Sequence, residues 1–211
     1  MTASLPQNHD EQIKHALDTP LSRRLKQDSS RATPADALAF ALARFEAGER
    51  VDIKSLCTKL NVDRTTLFRW VGNRDQLLTE VMWTLSKRLL ADIGTRNYSE
   101  KGGARIAMIV GDYAEALSSS EFFRKFVQRE GEIALRILTK KSIIQQRLIN
   151  RLEQLLQAEM QQGNLNPPMS CHDLAYVIVR IVEAFIYTDF ITGEPAEPKK
   201  ARLAISALLR D

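Results

Sequence analysis

The sequence predicts an all-α chain, and three observations carry that prediction. Apolar residues recur at helical spacing, most plainly in Ile144, Leu148, Leu152, Leu155, Leu156 and Met160. Helix-start signals stand immediately ahead of such runs, as in Thr33-Pro34-Ala35-Asp36 and in Asn73 with Gln76 three residues on. Breakers follow them at Gly48, Gly94, Gly163-Asn164 and Pro167-Pro168.

Composition bounds what such a chain does. Its 211 residues, 44% hydrophobic and 27% charged, suit a globular protein with a sizeable core. No apolar run approaches the roughly 20 residues of a membrane span. The amino terminus lacks a hydrophobic signal core, so a cytoplasmic location is expected. Cys57 and Cys171 lie far apart and read as small buried apolar residues, not as a disulfide or metal framework. The histidines, His9, His15 and His172, come with no serine elbow, glycine-rich phosphate loop or metal-ligand spacing. The expectation is therefore no enzyme, no cofactor and no metal. The net charge of +4 is modest but concentrated. Lys54, Lys59, Arg64, Arg69 and Arg74 stand against Asp63 alone between positions 54 and 74.

Residues 1–32 are poor in apolar side chains and basic in their second half, with Arg23, Arg24, Lys26 and Arg31 against Asp28. They read as a mobile arm, either following DNA phosphates or entering a minor groove, or as a solvated tail. Order begins at Thr33, whose hydroxyl, with Pro34 and Asp36, starts a helix lined by Leu38, Ala41, Leu42 and Phe45. Asp52 starts a second helix with Ile53, Leu56, Cys57 and Leu60 inward. Asn61 takes the left-handed conformation that ends it, and Asp63 caps a short third helix. On that helix Val62, Leu67 and Val71 turn inward, leaving Arg64, Thr65, Thr66, Phe68, Arg69 and Trp70 outward or sideways. Arginines and threonines read base edges and hold phosphates, and an indole N–H donates to a phosphate oxygen. The arrangement reads as a helix-turn-helix, with the Arg64–Trp70 helix expected in the major groove; the other reading is a generic three-helix core, since arginine and threonine are common on surfaces.

The residues Leu56-Cys57-x-x-Leu60-Asn61-Val62-Asp63-x-x-Thr66-Leu67-Phe68-Arg69-Trp70-Val71-x-Asn73-Arg74-x-x-Leu77-Leu78 resemble the DNA-binding segment of the TetR family of bacterial regulators. The resemblance covers about residues 34–80. It implies that Asp63 replaces a capping serine, that Thr66 and Arg74 hold phosphates, and that Arg64, Thr65 and Arg69 touch bases or backbone. Phe68 departs from the usual tyrosine and Trp70 from a histidine or tyrosine. Asp52 and Asn73, at the starts of the flanking helices, complete the expected DNA-facing set. The Arg-Trp-Val-Gly-x-Arg wording is similar to the branch holding a regulator of quorum-signal-lactone degradation.

Beyond this segment, Asn73 caps a long connector carrying Leu77, Leu78, Val81, Met82, Leu85, Leu89 and Leu90. Helices are expected over about Gly102–Leu117, Glu121–Leu138, Lys141–Gln162, Ser170–Ile191 and Glu197–Leu209. The last two are apolar on more than one side, and the family pairs through its two final helices. Leu174, Ile178, Ile181, Val182, Phe185, Leu203, Ala204 and Ala207 are the expected dimer contacts, with internal core as the other reading. A chamber for a small, mainly apolar effector is expected from Trp83, Tyr113, Phe122, Phe126, Arg129, Glu130, Tyr176, Arg180, Glu183 and Tyr187. Arg180 and Glu183 read equally as an ion pair.

The expected whole is a helix-turn-helix three-helix domain at 33–80 after the 1–32 arm, then a helical effector-binding and dimerisation domain at 81–211. The expected function is a homodimeric ligand-responsive repressor, released from a palindromic double-stranded operator when the effector shifts the connector. The alternative is an architectural DNA-binding protein blind to effectors.

Overall fold

A computed structural model describes residues 32–139, 142–167, 169–188 and 193–210. The expected arm lies outside the described residues except for its last residue. All regular structure among the described residues is helical, in ten helices.

The first three are α1 (Pro34–Glu46), α2 (Ile53–Leu60) and α3 (Arg64–Val71). Each begins as the sequence dictates. Thr33 and Asp36 form a reciprocal capping box, Asp52 accepts from the Ser55 N–H, and Asp63 accepts from the Thr66 N–H. Asn61 ends α2 at φ 50°, a left-handed turn that an asparagine tolerates, and it sets the angle at which α3 leaves. Leu56 and Leu67, both fully buried, pin α2 and α3 onto the core with Phe45.

The connector α4 (Arg74–Gly94) opens on the Asn73–Gln76 capping box. It packs against α1 at one end and against α5 (Gly102–Ser119), α7 (Gly131–Leu138) and α8 (Ile143–Gln161) further along. The expected single helix over Glu121–Leu138 is two, α6 (Glu121–Arg129) and α7, because Glu130 leaves the helical region at φ −132°, ψ 42°. Two helices complete the chain, α9 (Cys171–Ile186), capped by Ser170, and α10 (Pro198–Leu208). The expected continuation of α9 beyond Thr188 lies outside the described residues.

One apolar core runs from Ala37 through to Leu209. It bridges the first three helices to the rest at α6, where the Phe45 ring meets Phe126 and Phe122 at centroid distances of 5.1 and 5.7 Å. On the far side α5 and α10 approach closely. A Cβ on Gly103 would come within 2.3 Å of the Leu209 carbonyl oxygen, and one on Gly111 within 2.2 Å of Arg202 Nε. No helix among the described residues is long and apolar enough to cross a membrane.

Candidate nucleic-acid interface and ligand chamber

Helix α3 presents the face that its sequence promised. Arg64, Thr65 and Arg69 are exposed, and Thr66 and Phe68 are half-buried beside them. The Arg64 guanidinium lies over the Phe68 ring at 5.2 Å, a cation–π contact that restrains it. Asp63 accepts from both the backbone N–H and the hydroxyl of Thr66, at 2.8 Å each. Those two bonds hold the Asp63 carboxyl below its ordinary range. They also commit both Thr66 donors, the amide and the hydroxyl, to the cap, so Thr66 offers a phosphate no free N–H or O–H in this arrangement. Trp70 is half-buried against the core.

Three more of the expected DNA contacts have structural partners instead. Asp52 spends its carboxylate on the Ser55 N–H, and Asn73 exchanges bonds with Gln76. Arg74 is the larger correction. Its Nε donates to the Val51 carbonyl and its Nη2 pairs with Glu130 at 2.6 Å, both side chains largely buried. A guanidinium held this way is a strut inside the fold, not a free phosphate clamp.

The chamber is a partly open cavity of about 240 Å³ lined by α4, α5, α8, α9, Leu138 of α7 and Tyr187. Of the expected wall residues it contains Tyr113, Glu183 and Tyr187. Ser86 and Tyr113 share a hydrogen bond of 3.1 Å, and burial raises the Tyr113 hydroxyl pKa. Burial also raises Glu183, although it accepts from Gln145 and Arg180 at 2.9 and 2.8 Å. The Tyr187 hydroxyl is pushed well above its ordinary value, by burial first.

The other expected wall residues lie elsewhere. Phe126 is 1% exposed and, with Phe122, fills the seam against Phe45. Arg129 donates to the Gly48 carbonyl at 2.8 Å, and Glu130 holds Arg74. Trp83 sits beneath Arg147 at 5.4 Å on the outer side of the connector. Tyr176, 48% exposed, carries Arg180 over its ring at 5.0 Å. Arg180 and Glu183 do form the ion pair. What lines the space instead is aliphatic: Leu148, Leu152, Ile109, Val110 and Val182 among others. In the sequence these read as ordinary core, because lining and filling demand the same side chains. Ser86, a hydroxyl set in the buried stripe of the connector, was the one visible signal.

The expected pairing surface also divides. Leu174, Ile178 and Val182 belong to the chain's own interior, Val182 and Ile178 at the chamber. Ile181, Phe185 and Ala204 are half-buried, Ala207 is exposed, and Leu203 is 69% exposed. With Tyr176 and Val177 they leave an outer apolar face along α9 and α10. Among the described residues, no group of three or more His, Cys, Asp or Glu side chains is placed to hold a metal.

Residues 101–210, just over half the chain, match the family model of the tetracyclin repressor-like C-terminal domain. The chain is similar in structure to the transcriptional repressor QsdR of R. erythropolis, described as from the TetR family. The TM-score is 0.76 at 28% identity, covering 83% of this chain and 93% of that one. It shares a fold with the regulator SCO7518 of Streptomyces coelicolor A3(2), with TM-score 0.52 at 15% identity over 83% and 96% of the two chains. No curated protein matches the sequence. The helix-turn-helix geometry, the all-helical fold and the match over residues 101–210 converge: the chain belongs to the TetR family of transcriptional regulators.

Proposed function

We propose that this regulator is a homodimeric repressor that acts in the cytoplasm, binds a palindromic operator through α3, and is released when a small, mainly apolar effector fills the chamber. It works as two units, a DNA reader over 33–80 and an effector-and-dimer unit over 81–211. The observation that carries the reading is the reach of α4. Its first residue, Arg74, is locked to the reader through Val51, while Met82, Ser86, Leu90 and Gly94 form one wall of the chamber. A ligand that repositions that wall moves the base of the reader. The exposed Arg64, Thr65 and Arg69 supply base and phosphate contacts. The outer apolar face of α9 and α10 supports pairing, which sets two readers about one DNA turn apart.

The test begins with an operator selected by the protein from random duplex DNA. A chamber ligand should lower operator affinity while light scattering still reports a dimer. A coupling of about 1–3 kcal/mol is the ordinary size, and by linkage the operator should weaken ligand binding by the same factor. A tight chamber ligand that leaves operator affinity unchanged would overturn the release mechanism and favour an effector-blind architectural protein.

A further inference from the structure

The chamber has a chemical polarity of its own. Apart from Arg105 and Arg151, its hydrogen-bonding side chains gather at one end. Glu183, in the last turn of α9, and Tyr187, just past its end, stand one turn apart, and both line the chamber together with Tyr113. Ser86 joins through its bond to Tyr113. Apart from Gly94, the rest of the lining is aliphatic side chains, Met82 and two arginines, with no phenylalanine, tryptophan, histidine or lysine. The aromatic rings of the lining are those of Tyr113 and Tyr187, at the polar end; the aliphatic remainder complements an alkyl chain and offers a flat ring no stacking partner.

The two arginines do not make an anion site. Arg105 is already neutralised by Glu159, which is itself buried. Arg151 stands at an exposed position and donates to Gln154 at 3.4 Å, so water screens it. At the other end Glu183 is committed to Gln145 and Arg180, yet a carboxylate with two bonds still has acceptor sites free. An anionic head there would meet the Glu183 charge. A cationic head would compete with Arg180 for a carboxylate already balanced. A wholly apolar guest would leave the carboxylate and the tyrosine hydroxyls facing hydrocarbon, which costs more than it returns.

Resting on the reading of the chamber as the effector site, we infer that its ligand is a neutral aliphatic amphiphile, an alkyl chain ending in a head that both donates and accepts a hydrogen bond. A primary amide or an alcohol is such a head. It donates to Glu183 and accepts from the Tyr113 or Tyr187 hydroxyl, while the chain runs between α4, α5 and α8. At about 240 Å³ the space is below the roughly 300–1,000 Å³ of sites for drug-sized ligands, so the guest is small.

The test is calorimetry on the full-length protein without DNA, using one octyl chain with different heads. Octanamide and octan-1-ol should each bind about ten-fold or more tighter than octanoate and octylammonium at pH 8, and naphthalene should not compete. Leu152→Trp, which fills the space, should abolish binding of octanamide. Tyr113→Phe should weaken octanamide about ten-fold, and Glu183→Gln should erase the discrimination against octanoate. Tyr113→Phe keeps the test decisive if Glu183→Gln does not fold. Octanoate, octylammonium or naphthalene binding as tightly as octanamide would overturn the inference. So would the absence of binding by every octyl probe, or octanamide binding that survives Leu152→Trp. Octanamide binding that follows these rules but leaves operator affinity untouched would count against the release mechanism alone.

Discussion

Glu130, its side chain only 7% exposed, meets Arg74 at 2.6 Å across the seam between the DNA reader and the chamber. The same arginine donates to the Val51 carbonyl at the start of α2, and the neighbouring Arg129 donates to the Gly48 carbonyl after α1. The break between α6 and α7 therefore grips the ends of two reader helices. Asp75 with Arg136 at 2.6 Å and Glu80 with Arg147 at 2.9 Å continue the bracing along α4.

Removing one partner of this buried pair strands the other. Glu130→Gln should cost about 3 kcal/mol of stability in urea denaturation, at the lower end of the range for a buried pair because Arg74 keeps some exposure. Arg74→Met should leave the salt dependence of DNA binding unchanged. Loss of about one unit of the salt slope in Arg74→Met would mean that Arg74 contacts a phosphate after all.

Arg64 and Arg69 should behave in the opposite way. Each alanine variant should keep its thermal stability and lose roughly 1–3 kcal/mol of specific operator binding, with a shallower salt slope for whichever holds a phosphate. Operator titrations over a range of salt check this, and wild-type affinity in both variants would remove α3 as the reading helix.

A charge on the outer face of α9 or α10 should separate the protomers. Ile181→Glu and Ala204→Glu are suited to the experiment, since both are half-buried on that face, whereas Val182→Glu would strike the chamber. Light scattering at micromolar concentration should report monomers for both, because an unpaired charge would otherwise be buried between protomers. A dimer of unchanged mass in both would place the interface elsewhere.

The reader carries an acid-sensitive cap. The Thr66 backbone and hydroxyl bonds lower the Asp63 pKa below 3.8, so the ionised cap is bound more tightly in the folded chain than in the unfolded one. Its contribution is present above 3.8 and disappears as pH falls through the folded value. The Thr66 amide resonance should therefore titrate with a midpoint below 3.8, and that step should be missing in Asp63→Asn. A midpoint at or above 3.8 would show that the cap does not form in solution.

Much of this was legible in the sequence, for physical reasons. Caps are local, so Thr33, Asp52, Asp63 and Asn73 could be read from their neighbours within three residues. The outward set on α3 followed from helical period alone. What could not be read was the partner of each long polar side chain. Arg74 and Glu130 lie far apart in the chain, and an arginine beside a DNA-reading helix looks the same whether it faces a phosphate or a buried glutamate. Phe122 and Phe126 were aromatic and on an apolar face, but nothing local distinguishes a seam against Phe45 from the wall of a cavity. The chamber itself is a vacancy, and a vacancy has no sequence pattern.

The close seating of α5 on α10 has a consequence for how this protein can change. A methyl group would collide with Leu209 at Gly103 and with the Arg202 side chain at Gly111, so those two positions of α5 admit almost no variation. The other side of α5 carries Ile109, Val110, Tyr113 and Leu117 into the lining of the chamber. One helix thus joins a fixed hinge-plate to an adjustable lining. Descendants of this chain could be retuned to other guests by substitutions along four positions of α5 without disturbing the seat of α10.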